Sequence, residues 1–287
     1  MTQPLQLPIV RTKAELRARV AGWRGMGERI GLVPTMGALH EGHLSLVRRA
    51  KQDAPRVVAS VFVNPAQFAP GEDFETYPRD EARDAGLLAS VGCDLLYAPG
   101  LAEIYPDGFS TTVTVAEVSA PLEGAARPAH FAGVATVVAK LLIQAAPDLA
   151  VFGEKDYQQL LVIRRLARDL DLPVQIVAAP TLREADGLAR SSRNAYLGAD
   201  ERRIAGRLNL CLARAAQALA DGAGVAQVEA EAASALLQAG FEQVDYFEAR
   251  GAEDLRRFGP GPVEGPARVL AAVRLGKTRL IDNMAVG

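Results

Sequence analysis

Two of the three histidines in this 287-residue chain, His40 and His43, stand three residues apart in Pro34-Thr35-Met36-Gly37-Ala38-Leu39-His40-Glu41-Gly42-His43. That spacing lets both imidazoles share one side of a helix. An apolar run over 30–33 precedes the segment and an amphipathic run over 44–50 follows it. The order reads as strand, glycine-bearing turn and helix. A helix N-terminus offers backbone N–H groups and a partial positive charge, which together suit a phosphate chain. Two other readings compete with this one. A zinc site needs a third and usually a fourth ligand, and no Cys or His cluster supplies them. A plain capping turn with two ordinary imidazoles needs nothing further. The residue types favour phosphate over metal.

Four more segments carry groups able to bind or react. In Asn64-Pro65-Ala66-Gln67-Phe68 the two amides can orient hydroxyls or a carboxylate. Arg127-Pro128-Ala129-His130-Phe131 reads as a loop before a helix. In Phe152-Gly153-Glu154-Lys155-Asp156-Tyr157-Gln158-Gln159, Gly153 permits close backbone approach. Lys155 is a mobile point charge suited to phosphate, and Asp156 reads equally as a helix cap. Arg190-Ser191-Ser192-Arg193-Asn194 makes a compact anion site where a lid would sit. Each has a plainer reading: loop amides, a surface arginine beside a core-edge histidine, a helix start, a solvated basic linker.

The elements that must position these groups follow from the apolar pattern. Strands are predicted over 30–34, 56–63, 94–98, 149–152 and 173–177. Helices are predicted over 12–22, 41–53, 79–91, 134–146 and 157–169. Strand–helix alternation means an α/β, doubly wound parallel sheet with helices on both faces. Such sheets bind ligands beyond the carboxyl ends of their strands, near a switch in strand order. From residue 182 the character changes. Two alanine-rich helices, over 199–220 and 225–240, precede strand-like runs over 244–249, 267–273 and 278–283. This predicts a smaller C-terminal α+β domain spanning 182–287, after a first domain spanning 1–181.

Two glycine motifs are decoys. Gly25-Met26-Gly27 with Gly31 precedes its strand instead of following it, so it is no dinucleotide fingerprint. Gly276-Lys277-Thr278 would need glycine where Ala271 stands, and the chain ends before the required helix. Bulk numbers exclude further classes. Hydrophobic content of 49% and charged content of 23% are those of a globular protein. Net charge is 32 − 34 = −2, which gives no nucleic-acid-binding surface. No apolar run is long enough to span a bilayer, and the first ten residues lack the build of a signal peptide. Cys93 and Cys211 are far apart and form no disulfide framework. The expectation is a cytoplasmic protein.

Taken together the segments resemble the pantothenate synthetases (pantoate–β-alanine ligases, AMP-forming), over nearly the whole chain. The 34–44 segment is similar to that family's version of the HIGH signature of nucleotidylyl transferases. Phe62-Val63-Asn64-Pro65, Gln67-Phe68, Tyr77-Pro78-Arg79, 153–159 and Ser191-Ser192-Arg193-Asn194 match in order, the last as counterpart of the KMSKS lid. Ala129 stands where the family usually has Gly, and Arg190 where it usually has Met. The resemblance implies a Rossmann-like fold of the nucleotidylyl transferase type. It implies ATP-dependent joining of (R)-pantoate to β-alanine through a pantoyl adenylate, with Mg²⁺ accompanying ATP and a homodimer. Carried over, Met36, Gly37, Ala38, Leu39, His40, Glu41, Gly42 and His43 bind ATP, with His43 the proton donor. Gly153, Glu154, Lys155 and Asp156 cradle the nucleoside, Lys155 reaching the phosphates, and Leu182 touches adenine. Arg190, Ser191, Ser192 and Arg193 close over the phosphates. Gln67 and Gln159 hold pantoate, with Asn64, Tyr77, Arg127 and His130 as further substrate contacts. Asp84 is a metal candidate. Two rival readings are another nucleotidylyl transferase and a non-enzymatic nucleotide-binding module.

Overall fold

The β-branched runs are strands in the computed structural model, which describes residues 7–69, 71, 72 and 74–287. The first six residues, part of the stretch read for a signal peptide, lie outside it. The first part of the chain runs β1 (Ile9–Val10), α1 (Lys13–Gly25), β2 (Ile30–Thr35), α2 (Glu41–Asp53), β3 (Arg56–Val61) and α3 (Glu81–Ser90). It continues through β4 (Leu95–Tyr97), α4 (Leu101–Ile104), α5 (Glu123–Ala126), α6 (His130–Ala145), β5 (Leu149–Gly153), α7 (Tyr157–Asp169) and β6 (Gln175–Ala179). These strands form one six-stranded sheet in the order β1-β4-β3-β2-β5-β6, parallel throughout. The order changes direction between β2 and β5, which are neighbours. The carboxyl ends of those two strands lead into the 36–43 and 153–156 turns, where ligands are expected in such sheets.

Successive side chains of a strand point to opposite faces, and the core divides accordingly. Leu32, Val58, Tyr97 and Phe152 pack on one face with Leu16 of α1, Val138 of α6 and Ile163 of α7. Val33, Val57, Leu96 and Val151 pack on the other with Val47 of α2 and Leu88 of α3. This is the doubly wound arrangement. The chain then forms α8 (Ala199–Ala205), α9 (Arg207–Ala220), α10 (Val225–Gln238), β7 (Gln243–Gly251), β8 (Ala267–Leu275) and β9 (Thr278–Val286). The last three strands make an antiparallel sheet in sequence order. A separate core there joins Leu212, Leu236, Phe247, Val269 and Val273. No helix among the described residues is long and apolar enough to cross a membrane.

Three boundaries differ from the pattern for a visible reason. The helix expected over 199–220 is interrupted at Gly206, where a Cβ would stand 2.8 Å from Asp186 Oδ2. The strand expected to reach residue 63 stops at Val61, because the chain turns into a 3₁₀ segment at Pro65–Gln67, whose proline can donate no ladder bond. The helix expected from residue 134 starts at His130. Its Gly133 has to be glycine, because a Cβ there would meet Ala66 O at 2.2 Å, so the 3₁₀ segment lies directly on the helix. The short elements β1, α4 and α5 carry too few residues to show a periodicity.

Candidate active site

Gly37 has φ 83° and Ala38 φ 51°, so the turn after β2 is left-handed at two successive residues. Glycine is the natural occupant of the first. A Cβ on it would also press Asp84 Oδ2 at 3.0 Å and Val61 Cγ1 at 3.1 Å. The turn is held from below by Asp84, on α3 and only 1% exposed. Its two carboxylate oxygens accept from Ala38 N at 2.9 Å and Leu39 N at 2.8 Å. Burial pushes this carboxyl above the ordinary aspartate range, and the two amides oppose that rise. Asp84 therefore holds the turn through one bond per oxygen, and its carboxylate keeps further lone pairs beyond those two. Among the described residues no three His, Cys, Asp or Glu side chains gather as a metal centre requires. Asp84→Ala should lower stability by about 2 kcal/mol, since it orphans two amides. Urea unfolding reads this, and an unchanged midpoint would contradict the assignment.

The two histidines cap α2 as well as flank it. His40 is the N-cap, and its Nδ1 accepts from Gly42 N at 3.1 Å. His43 Nδ1 accepts from His40 N at 3.4 Å, and His43 N donates to His40 O at 2.8 Å. The ring centroids are 4.1 Å apart. Most amides of the helix mouth are thus already engaged, as the capping reading expects. Burial, with the charges of Lys155 and Arg190, lowers His40 to about 4. Burial, with His40 and Lys155, lowers His43 to about 3. Both rings are neutral at pH 7. With each Nδ1 accepting, each proton sits on Nε2, leaving two neutral Nε2–H donors.

This has a measurable consequence. The folded rings titrate below the ordinary histidine value, so the unfolded chain binds more protons between pH 6.5 and those values. Stability therefore falls as pH drops below about 6.5, by up to about 1.4 kcal/mol per pH unit per ring. Between pH 7 and 5, relative stability should shift toward His43→Gln and away from the parent chain. A difference that does not change with pH would contradict the depressed titration.

The Asn64–Gln67 segment seats the second group. Asn64 is 1% exposed. Its Nδ2 donates to Gln67 Oε1 at 3.1 Å and Gly133 O at 3.1 Å, and its Oδ1 accepts from Tyr105 Oη at 2.7 Å and Ala66 N at 3.3 Å. An amide has four such positions, and here all four are filled from within the chain. Asn64 positions Gln67 and has no group left for a substrate. Gln67 Nε2 reaches Met36 Sδ at 2.8 Å, which joins this segment to the histidine turn. Gln67 O accepts from Arg127 Nη2 at 3.1 Å and from His130 Nδ1 at 2.9 Å. Arg127 is itself held by Glu72 through two 2.7 Å bonds. Burial and Arg127 lower the His130 pKa, so its Nδ1 carries the proton and its Nε2 is an acceptor. Tyr77 is buried, its ring edge-on to Phe68 at 5.9 Å. Arg127, His130 and Tyr77 thus support Gln67 and its segment.

At the end of β5 a Cβ on Gly153 would meet only Leu46 Cδ2 at 3.9 Å and Lys155 N at 4.0 Å, so the strand end is open. The 3₁₀ segment Glu154–Asp156 follows. Lys155 Nζ lies 3.5 Å from Asp156 Oδ1, and Asp156 makes no capping hydrogen bond to α7. Gln158 is 3% exposed and bonds Val118 O, Pro121 O and Glu123 N. Its neighbour Gln159 is half-buried, and its side chain makes no hydrogen bond among the described residues.

The lid segment is anchored by a return turn. Arg190 N donates to Leu182 O at 2.9 Å, so only the N–H of Leu182 remains on that peptide edge. Arg183 holds Asp282 of β9 through bonds of 2.6 and 3.0 Å. Arg190 pairs with Glu184 at 3.0 Å, and its buried Nε has no partner. A Cβ at Gly42 would lie 3.7 Å from Arg190 Cβ, which brings the lid onto the histidine turn. Ser191 Oγ caps the 3₁₀ segment Ser192–Tyr196 by accepting from Arg193 N at 3.3 Å. The pattern had not pointed to Asp84 as a brace, Tyr105, Gly133 or Asn283. Gly133 alone carried a signal, as a glycine bordering an apolar helical run.

The site thus combines two neutral donors, a lysine, an arginine-bearing lid and an amide segment around the ends of β2 and β5. Comparison with known proteins gives the same composition a family. A family model for pantoate-beta-alanine ligase matches residues 8–285. The pantothenate synthetase of Caulobacter vibrioides is 63% identical over 288 residues, covering 100% of both chains. That of Paramagnetospirillum magneticum is 60% identical, covering 97% of each. The crystal structure of pantothenate synthetase from Thermus thermophilus superposes with a TM-score of 0.91 at 49% identity, over 98% of this chain and 99% of that one. The Francisella tularensis pantoate-beta-alanine ligase, solved in complex with beta-gamma ATP and β-alanine, gives 0.82 at 33% identity over 97% of each chain. This chain belongs to the pantoate–β-alanine ligase family, and its site is that of a C–N bond-forming enzyme.

Proposed function

We propose that the ligation of pantoate with β-alanine runs here as two half-reactions in one site. A pantoate carboxylate oxygen attacks the α-phosphorus of ATP, and the bond to the bridging oxygen breaks, releasing pyrophosphate. The amine of β-alanine then attacks the acyl carbon of pantoyl adenylate. AMP leaves with the former carboxylate oxygen, and the amine loses a proton. Charge builds on oxygen in the first step, so positioning and electrostatics supply the catalysis. His40 and His43 donate Nε2–H to phosphate oxygens, and Lys155 adds a positive charge. Arg190 to Arg193 cover the phosphates, while Gln67 and Gln159 hold pantoate. The observation that carries this reading is the Gln67–Met36 bond of 2.8 Å. It ties the amide segment to the neutral histidine pair, whose pKa values are depressed by burial first and by the charge of Lys155 after it.

Mg²⁺ belongs to the proposal as a companion of ATP. Asp84, whose oxygens face the turn amides, is this chain's candidate ligand for the ion, and no acidic cluster stands among the described residues to add to it. Phosphates and water would supply the other ligands, and no step above runs through the ion. We also propose domains spanning 1–181 and 182–287, supported by the separate cores, a homodimer and a cytoplasmic location. The test is to mix the protein with ATP, Mg²⁺ and pantoate, with and without β-alanine. Free AMP should appear only when both acceptor and acid are present. AMP release that ignores either one overturns the reading.

A further inference from the structure

The loop that carries Lys155 is held by a residue of the other sheet. Asn283, on β9, is 4% exposed. Its Nδ2 donates to Glu154 O and to Lys155 O, both at 2.9 Å. Those two carbonyls bracket the peptide that leads into and out of the lysine. Its Oδ1 accepts from Arg268 Nη1 at 2.7 Å. Arg268 in turn lies 3.9 Å over the Tyr157 ring and 3.4 Å from Glu154 Oε2. The backbone of Asn283 is fixed as well, donating to Asp282 Oδ1 at 2.8 Å. Asp282 is the carboxylate that holds Arg183, at the base of the lid turn.

An amide suits this place for a specific reason. Two carbonyls on adjacent residues need two donors from one planar group, and only a primary amide offers both while accepting a third bond. Lysine is a flexible stem with a point charge, so its placement at a phosphate depends on how firmly its own backbone is held. We infer that Asn283 is a positioning residue for Lys155, acting in adenylate formation and not in the amine step. The inference rests on the proposed role of Lys155 at the phosphates. It also gives the C-terminal sheet a part in the chemistry beyond covering the site.

The test uses the full chain with Mg²⁺-ATP and pantoate. Asn283→Ala should slow single-turnover pyrophosphate release by about 10- to 100-fold, the range for a displaced catalytic group. Capture of supplied pantoyl adenylate by β-alanine should change less than about threefold, since no phosphate chain is then to be held. In a Lys155→Ala background the same substitution should add little, because coupled residues are non-additive. Equal losses in both half-reactions, or full additivity with Lys155→Ala, would reduce Asn283 to a structural role. If Asn283→Ala does not fold, Arg268→Lys is read instead. It leaves the amide in place but loosens its anchor, and should slow the same step by a smaller factor; no effect on that step overturns the inference. Failure of the parent chain to release pyrophosphate would count against the two-step reading itself, so the two failures are distinguishable.

Discussion

His43→Ala should lower turnover by about 10²- to 10³-fold, the cost of removing one preorganised donor to a developing oxyanion. The fold should survive, because what is lost structurally is one capping acceptor for His40 N, worth about 1 kcal/mol. The loss should appear in pyrophosphate release, the step in which charge gathers on phosphate. The ring is lowered to about 3, so at pH 7 it is a neutral Nε2–H donor and not an acid holding a spare proton. The family resemblance implied proton donation by His43; the geometry argues for hydrogen-bond donation instead. His43→Gln separates the two, since its amide keeps a donor but cannot give up a proton. Partial recovery relative to His43→Ala supports the donor role. Near-normal turnover in His43→Ala would remove His43 from the mechanism.

Lys155→Ala should slow adenylate formation by about 10²-fold, with the effect concentrated in the phosphate-bearing step. Lys155 is a cation that both histidines register, so its removal has a second consequence. The histidine pKa values should rise toward their ordinary range, because part of their depression comes from its charge. Proton NMR titration of the two rings reads this directly. Lys155→Arg should not restore the rate, since a planar guanidinium on a different stem cannot occupy the same point. An unchanged rate of pyrophosphate release in Lys155→Ala would refute the assignment.

Much of this architecture can be read from the chain. The βα alternation predicts the parallel sheet, and it predicts that 36–43 and 153–156 leave strands at their carboxyl ends. Both turns do flank the switch in strand order. What stays hidden is which polar group faces inward. Gln158 and Gln159 are adjacent and identical in type, yet Gln158 is tied to three backbone groups. Asn64 and Gln67 look equivalent in the pattern, yet Asn64 is the brace and Gln67 is the braced side chain. Asp84 enters the sequence reading only through the resemblance, because a carboxylate in a sequence offers no clue that amides more than forty residues earlier will bond to it. Asn283 reads as one residue of a strand, because its contact with Lys155 spans 128 positions. Such long-range polar pairing has no period, and period is what a sequence displays.

The order of bond making is tested most directly with pantoate labelled with ¹⁸O in its carboxylate. If that oxygen attacks the α-phosphorus and stays there when the amine displaces AMP, mass spectrometry should find one labelled oxygen in the AMP formed and one in the amide carbonyl of the product. AMP without label, or label in pyrophosphate, would contradict the adenylate pathway.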